Sequence, residues 1–134
     1  DTGPIAGGTE TVLVVEDDEG VRATVVEMLA ELGYRVLKAV DAASALSVIE
    51  SGVPIDLLFT DVVMPGMNGR QLVDAAREMR PDLNVLYMTG YTRNAIVHNG
   101  MLDHDVAFLA KPFTTAQLLD AVHNALAPQV ERAK

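Results

Sequence analysis

The chain reads as an α/β protein, a doubly wound (βα)5 sandwich around one parallel sheet, and three observations predict it. Short apolar runs typical of strands buried on both faces alternate with segments whose apolar residues recur at helical spacing, the pattern of right-handed βαβ units. Four of these runs stop at chemistry-bearing residues: Glu16-Asp17-Asp18, Asp61, Thr89-Gly90 and Lys111-Pro112. In an open parallel sheet, ligands bind beyond the carboxyl ends of the strands, where the strand order reverses. A length of 134 residues suits one domain, enough to bury around 70% of the unfolded surface.

The elements follow in order. Thr11 to Val15 is a β-branched run and the first strand. Asp18 is most simply the cap of a helix whose apolar face is Val21, Val25, Leu29 and Leu32, with Gly33 as its stop. Arg35 to Ala39 is the second strand. Asp41 then caps a helix carrying Ala45, Leu46 and Ile49, and Gly52 ends it. The third strand is Leu57 to Thr60, with Asp56 expected as a solvated residue at its start. Met64 to Gly69 holds a Pro and two Gly and is a loop; Leu72, Val73, Ala76 and Met79 then form a third helix face, closed by Pro81. Val85 to Met88 is the fourth strand, Asn94 to Gly100 a weak, short helix, and Val106 to Ala110 the fifth strand. The last helix has the clearest start, since Thr114 and Gln117 form a capping box ahead of Leu118, Leu119, Val122 and Leu126. Five strands and five helices result, with the expected sheet order 2-1-3-4-5.

The strand ends suggest the chemistry. If the first and third strands are neighbours, their carboxylates converge, and several acidic oxygens in one crevice repel unless a hard divalent cation sits among them. An Asp, a hydroxyl and an ammonium on successive strand ends are what a transferred phosphoryl group needs, because that chemistry is mostly positioning and charge stabilisation. Asp61 would be the nucleophile. His98, His104 and His123 lack metal-ligand spacing and read as surface residues. Met64 and Met67, flanking Pro65, suit either an adaptable partner surface or simple loop packing.

Composition excludes several rivals. Ten Lys and Arg face nineteen Asp and Glu, for a net charge of −9, and the basic residues are scattered. Direct nucleic-acid binding needs clustered positive charge and is not expected. With no Cys there are no disulfides or thiolate metal sites, which fits a reducing, cytoplasmic location. No stretch approaches the roughly 20 apolar residues of a membrane span, so no membrane contact is expected. Residues 1–10, with Gly3, Pro4, Gly7 and Gly8, read as a flexible linker, either a tether or a cloning remnant. Residues 11–128 form the domain, and 129–134 a polar tail.

Val-Val-Glu-Asp-Asp at 14–18, Asp-Val-Val-Met-Pro-Gly-Met-Asn-Gly at 61–69, Met-Thr-Gly at 88–90 and Lys-Pro-Phe-Thr at 111–114 stand in this order, each after its own strand. Together they resemble the receiver domain of two-component response regulators, over Thr11 to Leu126. The resemblance implies a flavodoxin-like fold in which Asp61 accepts a phosphoryl group from a histidine kinase or histidine phosphotransfer protein. It implies a Mg²⁺ site, which Mn²⁺ can also fill, formed by Asp17, Asp61, Glu16 acting mainly through water, and the backbone carbonyl of Val63. Thr89 would bond one phosphoryl oxygen and Lys111 another, while Phe108 occupies the switch-aromatic position with Thr89 as its partner. Glu16, Gly90 and Phe108 stand where Asp, Ala and Tyr are also frequent, and none of these departures removes a required group.

Three further expectations accompany the resemblance. Val63 and Tyr91 occupy the positions that tune self-dephosphorylation, and neither offers a carboxylate or amide to orient water; the apolar Val63 and bulky Tyr91 would instead exclude it, so a long-lived phosphoryl-Asp61 is implied. A phosphorylation-dependent homodimer is a further expected state, and a terminal receiver of a hybrid histidine kinase is slightly favoured over a free regulator. Enzymatic turnover beyond self-dephosphorylation is not expected. Two alternatives remain: a haloacid-dehalogenase-like phosphatase, which wants a second Asp where Val63 stands, and a pseudo-receiver binding module, which would usually have lost Asp61 or Lys111.

Overall fold

A computed structural model of the chain describes residues 10–62, 64, 66–89, 107–111 and 113–126. Among them the order is β1 (Thr11–Val15), α1 (Glu19–Glu31), β2 (Arg35–Ala39), α2 (Ala42–Glu50), β3 (Leu57–Asp61), α3 (Gly69–Met79), β4 (Asn84–Thr89), β5 (Ala107–Ala110) and α4 (Thr115–Leu126). All five strands are parallel, in the order β2-β1-β3-β4-β5. The expected order is therefore the observed one. The short helix expected at Asn94 to Gly100 lies outside the described residues.

Side-chain alternation along the strands builds two cores, one on each face of the sheet. Leu13 and Val15 of β1, Leu58 of β3, and Val85 and Tyr87 of β4 pack with Ala45 and Ile49 of α2 and Leu72, Val73 and Ala76 of α3. Val12 and Val14, Leu57 and Phe59, and Leu86 and Met88 point the other way, against Val25 and Leu29 of α1 and Leu118, Val122 and Ala125 of α4. A central strand covered on both faces reads as a near-continuous apolar run, and β1, apolar from Val12 to Val15, is buried at all five positions.

Local signals set where helices start. Asp18 accepts the Val21 N–H at 3.0 Å and Asp41 the Ser44 N–H at 2.8 Å. At α4, the Gln117 N–H reaches the Thr114 hydroxyl and the Thr114 N–H the Gln117 side chain, the reciprocal box read from the sequence. α3 begins with the same device, Asn68 and Gln71. Gly33, at a φ of 97°, turns the chain out of α1 in the left-handed region that suits glycine.

Two residues depart from expectation, and the open pair Met64 and Met67 is separated by burial. Met79, assigned to the apolar face of α3, is 43% exposed: it is the last helical residue, and Leu72, Val73 and Ala76 carry the burial. Asp56 is exposed yet not merely solvated, for its carboxylate accepts the Thr11 N–H at 2.8 Å while its own N–H donates to the Thr11 carbonyl, tying the start of β1 to that of β3. Met64 is buried in the core, which fits loop packing, and Met67 is exposed.

Tyr34, at the turn into β2, is buried, and its hydroxyl has no hydrogen-bond partner among the described residues. Burial, with the charge of Glu10 adding to it, pushes this phenol from 10.0 up to about 12. A raised phenol pKa favours the protonated form in the folded state. Its contribution to stability is whole below the unfolded value and is lost as pH rises through the folded one. The difference in unfolding free energy between wild type and Tyr34→Phe is expected to stay flat up to pH 10 and to turn against the wild type toward pH 12. Urea titrations on either side of the lower value will read it.

Candidate functional site

Sheet register gathers the predicted groups at one edge. Val15 pairs with Thr60, Asp61 with Met88, and Thr89 with Ala110. Glu16, one residue past β1, therefore lies beside the end of β3, and Lys111 follows directly on β5. The Glu16 N–H donates to the Ala39 carbonyl, extending the β1–β2 ladder by one step, so Glu16 is held as strictly as a strand residue.

The three acidic residues at this edge have distinct surroundings. Glu16 is 1% exposed. One of its carboxylate oxygens accepts the Asp18 N–H at 3.0 Å, the other accepts from Lys111 Nζ at 3.0 Å, and its carbonyl accepts from Arg22 Nη1 at 2.8 Å. Asp17 is exposed, and Asp61 is buried with Oδ2 3.4 Å from Lys111 Nζ. Glu16, Asp17 and Asp61 each bring a carboxylate oxygen within 4.8 Å of the others. Asp18 is not one of the three; it caps α1.

Burial pushes the Glu16 carboxyl up, helped by the charge of Asp61, while the Asp18 N–H and Lys111 pull the other way without cancelling it. For Lys111, burial alone would lower the ammonium, but the bond to Glu16 and the negative charges of Asp61 and Glu16 outweigh it, and the group is raised. The lysine therefore stays charged across the neutral range. One ammonium faces three carboxylates, and every donor in the cluster is a hard oxygen. That set suits a hard divalent cation such as Mg²⁺.

The backbone around Asp61 is fixed by contacts that the sequence reading missed. The Thr60 hydroxyl donates to the Asp61 carbonyl at 3.0 Å, the Val62 N–H donates to the Met88 carbonyl, and the Gly69 N–H donates to the Val62 carbonyl at 2.8 Å. Phe113 packs on Phe59 at a ring separation of 6.3 Å, seating the segment that carries Lys111. Phe108 is half-buried and stacks on Tyr87, its register partner, at 5.5 Å and 25°. Thr89 closes β4 opposite Ala110. Val63 and Tyr91 lie outside the described residues, and with them the lifetime expectation.

Removing the ammonium leaves Glu16 buried and charged without its partner. In buffer free of divalent cations, Lys111→Met is expected to destabilise the protein by on the order of 1–3 kcal/mol. Adding Glu16→Gln should recover part of that loss, as read by a double-mutant cycle of urea melts.

Known proteins resemble the chain in sequence and fold. The sequence profile described as response regulator receiver domain matches residues 12–123. The response regulator receiver protein CpdR of Brucella abortus is 34% identical over 115 residues, 86% of this chain and 95% of that protein. Sensor kinase CckA of the same organism is 37% identical over 123 residues, 91% of this chain but 13% of that protein. A crystal structure of a response regulator receiver protein from Sinorhizobium medicae superposes with a TM-score of 0.78 at 30% identity, covering 88% of this chain and 94% of that one.

Proposed function

Because the chain belongs to the response regulator receiver domain family, a family of phosphoacceptors in phosphorelay signalling, we propose that Asp61 is the residue that takes the phosphoryl group, from a phosphohistidine on a histidine kinase or phosphotransfer protein. The observation that carries this reading is the convergence of Glu16, Asp17 and Asp61 within 4.8 Å, with Lys111 in contact with both Glu16 and Asp61.

In the proposed reaction a carboxylate oxygen of Asp61 forms the new O–P bond as the donor's N–P bond breaks, and the electron pair of that bond leaves with the imidazole nitrogen. Asp17 and Asp61, with Glu16 and the Val63 carbonyl, would hold Mg²⁺. When bound, it supplies positive charge to the transferred oxygens. Lys111 has its ammonium already at the mouth of Asp61, where it can balance charge on a phosphoryl oxygen without reorganising. Glu16 keeps that ammonium in place from the buried side. Thr89, at the end of the adjacent strand, would give the phosphoryl group a hydroxyl donor, and Phe108, stacked on Tyr87 of that strand, would couple phosphorylation to β5.

The chain would act as an acceptor with self-dephosphorylation and no other turnover. Val63 stands where a haloacid-dehalogenase-like phosphatase needs its second carboxylate. A pseudo-receiver role has no support, since both Asp61 and Lys111 are present and in contact. Among the described residues no helix is long and apolar enough to cross a membrane, and the net charge of −9 disfavours direct nucleic-acid contact. A phosphorylation-dependent homodimer belongs to the same proposal.

Two measurements check the reading. With acetyl phosphate and Mg²⁺, intact-mass spectrometry should find one phosphoryl group on the wild type and none on Asp61→Asn; equal labelling of both would remove Asp61 from the mechanism. For the cation, Mg²⁺ at one hundred times its dissociation constant should stabilise the wild type by about 2.7 kcal/mol. Asp17→Ala should lose most of that shift, and a full shift in the variant would mean that the ion binds elsewhere.

A further inference from the structure

We infer that Gly69 is a positioning residue for Asp61: its missing side chain lets the first turn of α3 rest directly on the Asp61–Val62 backbone, and this contact sets where the acceptor carboxylate stands. The inference rests on Asp61 being the phosphoacceptor. Gly69 is the first residue of α3 and is buried. A Cβ added there would overlap the carbonyl oxygen of Asp61 and come within 2.9 Å of Val62 Cα and 3.1 Å of the Asp61 carbonyl carbon. All three are main-chain atoms, so no side-chain rotation relieves the overlap.

The requirement is for space and not for backbone conformation, because Gly69 is absent from the glycines with positive φ, whereas Gly52 and Gly66 are among them. Gly52 gives the opposite case, with a φ of +89° and nothing within 4 Å of its added Cβ.

Neither side of the contact yields freely. On one side, the Asp61–Val62 peptide is held by the Thr60 hydroxyl and by the Met88 carbonyl, and the next carbonyl, that of Val62, by the Gly69 N–H itself. On the other, α3 is fixed by the Asn68–Gln71 capping box and by Leu72, Val73 and Ala76 in the core. A methyl group at position 69 must therefore push the β3 end and α3 apart. The Asp61 carboxylate, working against Lys111 at 3.4 Å and against Asp17 and Glu16, moves with that backbone. Displacement of a reacting group by about 1 Å can cost on the order of 100-fold in rate.

The test compares wild type, Gly69→Ala, Gly52→Ala and Asp61→Asn in single-turnover phosphorylation by acetyl phosphate. Mg²⁺ is saturating for each protein, and the temperature lies well below every melting midpoint. Gly69→Ala is expected to be about 100-fold slower while keeping a native circular dichroism spectrum. Gly52→Ala introduces backbone strain at the far end of the sheet and should lose stability yet stay within about twofold of the wild-type rate. A wild-type rate in Gly69→Ala, or an equal slowing in Gly52→Ala, overturns the inference while leaving the acceptor reading intact. A wild type that takes no phosphoryl group, or Asp61→Asn labelled as fully, overturns the acceptor reading and this inference with it. Should Gly69→Ala fail to fold, Thr60→Val removes one tether of the same peptide without adding bulk. A slowed rate there supports positioning through the Asp61 backbone, and an unchanged one overturns it.

Discussion

Three carboxylates held within 4.8 Å of one another at a sheet edge, one of them almost fully buried, repel more strongly than any single contact nearby attracts. At an effective dielectric constant of about 20, two like unit charges 4.8 Å apart repel by about 3.5 kcal/mol, and solvent screens the share of the exposed Asp17. Lys111 is the only cation in contact with the two buried ones among the described residues, and much of the surrounding structure serves to keep it there. Parallel pairing of β5 with β4 fixes its distance from Asp61, and the packing of Phe113 on Phe59 fixes the segment just after it. Glu16 in turn is locked by three donors from three places: the Asp18 N–H, Arg22 and Lys111 itself. The raised carboxyl of Glu16 records chiefly its burial, with the charge of Asp61 adding to it, which the Asp18 N–H and Lys111 do not cancel.

Consecutive residues with similar side chains acquire different tasks through backbone geometry. Glu16 continues the strand and turns inward, Asp17 leaves the ladder and faces solvent beside Asp61, and Asp18 caps α1. The change of period from two to 3.6 within these residues separates a buried anchor, an exposed ligand and a cap. The other acidic end works differently. Asp61 belongs to β3 itself, paired with Met88, so its position is inherited from the center of the sheet and from the helix turn resting on its carbonyl.

Much of this was legible in the sequence because its causes are local. β1 and β2 match their expected bounds, β3 and β4 extend theirs by a residue or two, and Asp18, Asp41 and Thr114 cap the helices assigned to them, since alternation, β-branching and capping act over a few residues. Glu16, Asp17, Asp61 and Lys111 were singled out as strand-end residues, and the strand order brings them together. What escaped was non-local or needed coordinates. The grip of Arg22 on the Glu16 carbonyl, the support of Phe113 by Phe59, and the hold of Asp56 on Thr11 each join segments whose contact no periodicity encodes. The Asn68–Gln71 box was readable by the same rule that found Thr114 and Gln117, but the Pro and Gly residues before it drew the segment into a loop assignment. Gly69 looked like one more loop glycine, and its burial against the Asp61 carbonyl, without the positive φ of Gly66, is what distinguishes it.

The same charge balance bears on how the proposed reaction would be felt beyond the pocket. A carboxylate with one negative charge would become an acyl phosphate carrying roughly −1.5 to −2 at neutral pH. The extra charge appears at the site that Lys111 already shares, at 3.4 Å from Asp61 against 3.0 Å from Glu16. Glu16 cannot follow a departing ammonium, because its second oxygen is tied to the Asp18 N–H and its carbonyl to Arg22. The lysine must therefore redistribute between a fixed carboxylate and a growing charge. Any movement it makes is carried by the backbone of β5, three residues along which Phe108 stacks on Tyr87. A small electrostatic adjustment at Lys111 would thus have a short mechanical path to an aromatic ring on β5, and that path runs through a strand that, among the described residues, is held on one side only, by β4.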